Sequence, residues 1–282
     1  MGNWEYGDFK EAVLRLTGIN LSAYNEKQMR RRIDSLILHS GYKDYYSYYK
    51  FISTNTAGLK KFTNYITINV TEFYRNPAQW DKLEKLIMPK LIEKKKPLKV
   101  WSSACSTGEE AYSLVMLLNQ FYPLSEIKVL ATDIDEEAIE KAVLGVYTEK
   151  SMSNLPQGYI EKYFDYKENV YFIKDRVKKC VEFRKLNLLE DPFPQGCHLI
   201  LCRNVMIYFT EEAKDSLYKK LHDALAPNGV LFLGSTEQIV NPARYNFTSL
   251  GAFFYLCNKE DSFQQRNKNI RELADQIRKF KI

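Results

Sequence analysis

The chain is poor in the residues from which metal centres and nucleophilic relays are built. Its five cysteines (Cys105, Cys180, Cys197, Cys202 and Cys257) include no C-x-x-C pair, which argues against a zinc site or a disulfide framework and leaves buried free thiols. Three histidines, His39, His198 and His222, are too few and too scattered for a metal cluster or a Ser/Cys–His triad, so neither a metal site nor a base-activated nucleophile is expected. No uninterrupted apolar run approaches the roughly 18 residues that span a bilayer, and the N-terminus has no signal-peptide pattern. A cytoplasmic protein with no direct membrane insertion is the expectation. Neither G-x-x-x-x-G-K-S/T nor G-x-G-x-x-G occurs, which removes the two common glycine-rich cradles for a diphosphate.

What is present fits a soluble α/β protein. At 282 residues, 45% apolar and 27% charged, the chain suffices for one large domain and a small accessory one. The net charge of +6 is carried by the ends: residues 1–75 hold 11 Lys/Arg against 7 Asp/Glu, residues 258–282 hold 7 against 4, and the body between them is slightly acidic. A basic surface at the ends suits an acidic protein partner, nucleic acid or an anionic membrane surface.

Residues 5–67 show only helical spacing, punctuated by Gly18, Gly41 and Gly58. In the second helix, about Asn25 to Ser40, the apolar stripe is Met29, Ile33, Leu36 and Ile37; Lys27 and Arg31 then point away from the core, with Arg30 and Arg32 on the flanks. That face is either simply solvated, with Asp34 as local partner of Arg30, or a dock for an acidic surface. The tyrosine-rich stretch YKDYYSYYKF carries too many rings to face only solvent. After a polar connection, INVTEFYRN at 68–76, a helix from Pro77 to Lys95 leads into alternating strands and helices. Strands are expected at Lys99–Ser102, Lys128–Thr132, His198–Cys202 and Val230–Gly234, and helices at Glu109–Phe121, Glu136–Val143 and Glu211–Leu225. This order predicts a parallel sheet with right-handed crossovers. A last strand, Phe253–Cys257, is expected to pair antiparallel, and Tyr163–Phe183, with the short runs VYFI and CVEF, reads as a small antiparallel excursion. Beyond Asn258 the spacing of Phe263, Ile270, Leu273, Ile277 and Phe280 predicts a helix with a heptad-like seam.

The chemistry concentrates at strand ends. LKVWSSACSTGEEAYS, Leu98 to Ser113, reads as strand, tight loop of small residues, and helix. Such a loop lets a ligand approach the backbone at the carboxyl edge of an α/β sheet. Glu109 and Glu110 there repel phosphate, so a nucleoside carrying positive charge fits better, and S-adenosylmethionine is the commonest. ATDID at 131–135 ends the second strand; Asp133 is placed to accept from ribose hydroxyls, while Asp135 caps the following helix. In HLILCRNVMIYF, Arg203 and Asn204 interrupt an apolar run where ligands meet the sheet, and Tyr208 follows one helical turn on. Arg203 belongs either to a site or to an internal salt bridge.

NVTEFYR at 69–75, WSSACSTGEEAYS at 101–113, ATDID, the NLL at 187–189, CRNVMIYF at 202–209 and GSTEQ at 234–238 together resemble, in that order, the CheR chemotaxis receptor methyltransferases. The resemblance implies a Rossmann-like S-adenosylmethionine-dependent methyltransferase sheet at 76–257, with a small β-subdomain at 163–183. Residues 1–75 are then an all-helical domain with its linker, and 258–282 a helical tail. It implies methyl transfer from S-adenosylmethionine, leaving S-adenosylhomocysteine, to glutamate side chains on cytoplasmic helices of methyl-accepting chemotaxis receptors. Cofactor-binding residues carry over as Asn69, Thr71, Arg75, Glu109, Asp133, Asn187, Leu188, Arg203 and Asn204. Arg75 and Tyr208 are chosen to orient the substrate carboxylate, and Lys27, Arg30, Arg31 and Arg32 to dock the acidic receptor helix, with the enzyme a monomer. The short, glycine-free turn in the excursion points to a member independent of the receptor's C-terminal pentapeptide. A nucleic-acid methyltransferase is the competing class, against which stands the absence of an Asn/Asp-Pro-Pro-aromatic run and of an aromatic-basic stacking platform. A cofactor-binding sensor without catalysis is the third.

Overall fold

The structure is a computed structural model that describes residues 4–93, 97–251 and 253–259, so the tail seam beyond 259 lies outside the described residues. The chain falls into two compact units: a helical one of residues up to Asn69 together with Met206–Ser216, and an α/β one of Val70–Val205 and the chain from Leu217 on.

In the helical unit, α1 (Tyr6–Thr17), α2 (Glu26–His39), α3 (Tyr45–Thr54) and α4 (Thr56–Thr67) start and stop on local chemistry. Gly18, at φ 73°, ends α1, and the side chains of Asn25 and Asp44 accept from the Gln28 and Ser47 amides at the starts of α2 and α3. Asn55 ends α3 and caps α4, accepting from Gly58 N at 2.7 Å. The apolar stripes bury Phe9, Ile33, Tyr48 and Phe62, with Phe62 edge-on to Phe9 and Tyr48 at 6.0 and 6.1 Å. Gly58 is not punctuation: it lies inside α4, where a Cβ would fall 2.6 Å from the Phe51 ring. Most of the tyrosine stretch packs as expected, Tyr42 stacking on Phe51 and Tyr48 fully buried. The late segment joins by a short antiparallel pairing, Asn25 N donating to Tyr208 O at 2.8 Å and Thr210 N to Ala23 O at 2.9 Å.

The α/β unit begins with α5 (Pro77–Lys82), which continues through a π turn, Leu83–Ile87, into α6 (Met88–Ile92). Then come β1 (Val100–Ser102), α7 (Glu109–Leu118), β2 (Val129–Asp133), α8 (Glu136–Leu144), β3 (Val146–Tyr147), α9 (Tyr159–Tyr163), β4 (Phe164–Lys167), β5 (Val170–Ile173), α10 (Asp175–Lys178) and β6 (Val181–Lys185). The chain closes with β7 (Cys197–Cys202), α11 (Glu211–Ala224), β8 (Leu225–Leu233), β9 (Phe247–Gly251) and β10 (Phe254–Cys257). The main sheet has the order β6-β2-β1-β7-β8-β10-β9, parallel from β6 to β8 and antiparallel at β10 and β9. It is the Rossmann-like winding that the alternation predicts, and the last expected strand is antiparallel as anticipated.

The small antiparallel excursion is present, but not with all the strands expected of it. VYFI and CVEF are not partners: VYFI is β5, the centre of a separate antiparallel sheet of order β3-β5-β4, whereas most of CVEF lies in β6, which pairs parallel with β2. Alternation marks both runs as strands without naming their neighbours.

Chain order reverses direction across the main sheet between β1, whose next strand β2 lies on one side, and β7 on the other. The crevice at such a reversal, beyond the carboxyl ends of the strands, is where α/β sheets bind ligands.

Candidate active site

The loop from Ser103 to Gly108 forms one lip of that crevice. Ser103 N and Oγ both donate to Leu201 O at 2.9 Å, and Cys105 N donates to Thr132 O at 2.9 Å, so the loop is tied to both strands flanking β1. Gly108 begins α7 at φ 95°, and a Cβ there would lie 2.8 Å from the Ala142 Cβ and 3.1 Å from the Tyr147 hydroxyl. Only glycine meets both demands. Tyr147, whose hydroxyl donates to Thr107 O at 2.8 Å, is a support that its sequence context does not announce.

Asp133 closes β2 as expected and is 8% exposed. Its oxygens accept from Ser106 N at 2.7 Å and Asp135 N at 3.0 Å, bracing the loop from the neighbouring strand. Burial outweighs those hydrogen bonds and pushes its carboxyl up to about 6. Asp135 caps α8, as its position predicts. The loop after β6 reaches the same place: Leu186 N donates to Asp133 O at 2.9 Å, and Asn187 accepts from Leu189 N at 3.0 Å. Leu188 is buried, and its carbonyl accepts from Lys220 at 2.8 Å.

The two glutamates of the opening loop divide their work. Glu109 accepts from Thr107 Oγ1 at 2.6 Å, and burial raises its carboxyl. Glu110 takes Ser102 Oγ at 2.7 Å and Arg203 Nη1 at 3.3 Å. Arg203 Nη2 donates to Arg75 O at 2.8 Å, and to Asn76 Oδ1 and Gln79 Oε1 at 3.2 Å each, with the guanidinium 4.6 Å over Phe232. Burial pushes Glu110 up and Arg203 down, and their proximity opposes both shifts. Arg203 therefore realises the internal salt bridge, and through it ties β7 to α7 and to the linker motif.

That motif is itself pinned to the α/β unit. Tyr74, at φ 50°, donates from its amide to Ser113 Oγ at 3.1 Å, and Phe73 N donates to Ser151 O at 3.1 Å. Arg75 Nη1 donates to Val70 O at 2.9 Å, and Thr71 is half-buried. Asn204, at φ 59°, follows β7, its amide donating to Glu237 Oε2 at 2.6 Å. The structure thus gathers Arg75, Glu109, Asp133, Asn187, Leu188, Arg203 and Asn204 within the α/β unit.

Thr71 lies in the same unit, and the other candidates belong to the helical unit. Asn69 donates to Thr67 Oγ1 at 3.2 Å. Tyr208 lies at the Asn25 end of α2, where its carbonyl accepts the Asn25 amide. Lys27, Arg30 and Arg31 line an open groove of about 530 Å³ with Glu26 and Asp34. Arg32 does not join them: it turns inward to α4, donating to Tyr65 O at 2.5 Å with its guanidinium 4.7 Å over the Tyr65 ring. A flank position on a helix can face either way, and a nearby ring decides it.

Among the described residues the buried charged groups are Glu109, Glu110, Asp133, Asp135 and Glu237 against Arg203 alone. The excess of buried carboxylate, with Asp133 and Glu109 at the loop beyond β1, fits a cationic nucleoside and opposes a phosphate.

Residues 69–254 match the CheR methyltransferase SAM-binding domain, and residues 4–67 the CheR methyltransferase all-alpha domain. The chain is 40% identical over 253 residues to a chemotaxis protein methyltransferase of Listeria monocytogenes, covering 89% of this chain and 97% of that protein. It is 34% identical over 236 residues to one of Borreliella burgdorferi, with 79% and 83% covered. Among solved structures, a TehB-like SAM-dependent methyltransferase from Corynebacterium glutamicum aligns at a TM-score of 0.36 and 16% identity, covering 66% of this chain and 97% of that one.

Proposed function

The chain belongs to the CheR methyltransferase family, and on that premise we propose that it methylates glutamate γ-carboxylates on the cytoplasmic helices of methyl-accepting chemotaxis receptors. The observation that carries this reading is the pair of buried carboxylates that meet at the loop beyond β1, Asp133 closing β2 and Glu109 opening α7, which suits S-adenosylmethionine, with its sulfonium and ammonium. Bound there, that cofactor supplies an electrophilic methyl group. Glu109, Asp133, Asn187, Leu188 and Asn204 would hold it, with Asn69, Thr71 and Arg75 of the linker motif, while Arg203 braces Glu110 and that motif.

A glutamate side chain, with an ordinary pKa of about 4.3, is already ionised at neutral pH, so the reaction needs no general base, in keeping with the dispersed histidines. Alignment and exclusion of water are what the protein must add. Arg75 and Tyr208 orient the incoming carboxylate; a donor that gripped it harder would quench the nucleophile. The basic face of α2, Lys27 with Arg30 and Arg31, docks an acidic receptor helix. Incubation with tritiated S-adenosylmethionine and receptor cytoplasmic fragments tests the whole reading. Base-labile methyl ester on the receptor is expected, and label on RNA, or none on the receptor, refutes it.

A further inference from the structure

Glu237 has entered so far only as a buried charge and as the acceptor of the Asn204 amide; it is 4% exposed and stands where β7 and β8 end. One oxygen of its carboxylate, Oε2, accepts two backbone amides: Asn204 N at 2.6 Å and Gly234 N at 2.8 Å. Its own amide donates back to Gly234 O at 3.0 Å. The loop leaving β8 is thereby closed into a ring, and the same oxygen reaches across to the end of β7, the strand beside it in the sheet, where Cys202 is paired with Leu233. Two backbone requirements converge on this oxygen. Asn204 is in the left-handed region, φ 59°, which asparagine tolerates better than most residues. Gly234 has no room for a side chain: a Cβ there would fall 2.4 Å from Glu237 Oε2, 2.8 Å from Asn204 N and 3.1 Å from Asn204 Nδ2.

From this we infer that Glu237 is a positioning residue for the cofactor, acting through Asn204. Its carboxylate fixes the backbone of Asn204 in the conformation that presents the residue to the crevice, and Gly234 is glycine so that this approach can occur. The inference rests on the reading of Asn204 as a cofactor ligand. Without the carboxylate, the Asn204 amide loses its acceptor and the left-handed turn its restraint, and the ligand is left to search among conformers.

Binding of S-adenosylhomocysteine, measured by titration calorimetry, separates this role from a purely structural one, with thermal melting as a check on folding. In Glu237→Ala the dissociation constant should rise about tenfold to a hundredfold, and the KM for S-adenosylmethionine should rise in step while kcat at saturating cofactor is kept. Glu237→Gln, which retains an acceptor oxygen of the same reach, should restore affinity to within about threefold; Glu237→Asp, one methylene short, should not. Gly234→Ala should reproduce the affinity loss, and combining it with Glu237→Ala should add little, because both act on one contact. If Glu237→Ala does not fold, the Gln and Asp variants still decide. Wild-type affinity in a folded Ala or Asp variant, or loss of kcat with unchanged KM, overturns the inference. Absence of binding by the wild-type protein overturns the cofactor assignment itself, a different outcome from a variant that fails while the wild type binds.

Discussion

The Asp133 carboxyl gives the cofactor reading a quantitative consequence. In the free protein it is raised from 3.8 to about 6, mainly by burial. An acid raised by folding contributes stability that is present below its unfolded pKa and is lost as pH rises through its folded one, so at neutral pH ionised Asp133 costs the cofactor-free protein about 3 kcal/mol. A ligand with hydroxyl donors and positive charge favours the ionised form and must displace the proton wherever one is bound. If binding drops the bound-state pKa to about 4 or below, cofactor affinity should fall about tenfold, ~1.4 kcal/mol, as pH is lowered from about 7.5 to about 5. Calorimetry with S-adenosylhomocysteine across that range measures it directly. Asp133→Asn should bind more weakly at neutral pH and lose the slope. Because burial also raises Glu109, a slope that survives in Asp133→Asn would shift the effect to Glu109 and refute the ribose assignment. A flat wild-type profile would refute the linkage altogether.

Arg203→Met leaves Glu110 buried without its partner and should cost about 3–5 kcal/mol in urea unfolding, while Arg203→Met combined with Glu110→Gln should lose markedly less. Gly108→Ala, facing both φ 95° and a 2.8 Å clash, should lower stability by about 1–3 kcal/mol on thermal melting and weaken cofactor binding in the folded fraction. Charge reversal at Lys27 and Arg31 should raise the receptor KM several-fold and abolish its salt dependence, with stability unchanged because both side chains are exposed. Arg75→Ala and Tyr208→Phe should each lower kcat at saturating receptor and cofactor; if both keep the wild-type kcat, neither orients the carboxylate.

The parts of the fold fixed by local chemistry were legible in the sequence. Small residues and a glycine between an apolar run and paired acids mark the loop before α7, and Asp135 announces a cap because its side chain reaches amides two and three residues on. Long-range choices were not legible. Glu109 and Glu110 look alike in sequence and both are buried; which one is paired with a guanidinium is decided by Arg203, 93 residues later. Arg32 and Gly58 depart from their sequence pattern for the same reason: the rings of Tyr65 and Phe51 set their roles, and helical periodicity does not register a neighbouring ring. Glu237 stood in a motif, GSTEQ, whose pattern says nothing of the amide at Asn204 that it would meet.

The pairing of residues 23–25 with 208–210 sets an order on the protein's synthesis. The strand-like bridge between Tyr24 and Phe209 and the bond from Asn25 N to Tyr208 O join the first and last thirds of the chain, so the ribosome releases the start of α2 long before the segment that completes it. Until then the helical unit has its four helices and their caps but an open flank beside the Asn25 turn, closed only at the entropic cost of a very long loop. Nascent helices must wait while the parallel strands through β7 are made. The unit carrying the basic face is therefore first to be made and among the last to be finished, and a fragment ending at Asn69 would retain that flank unpaired.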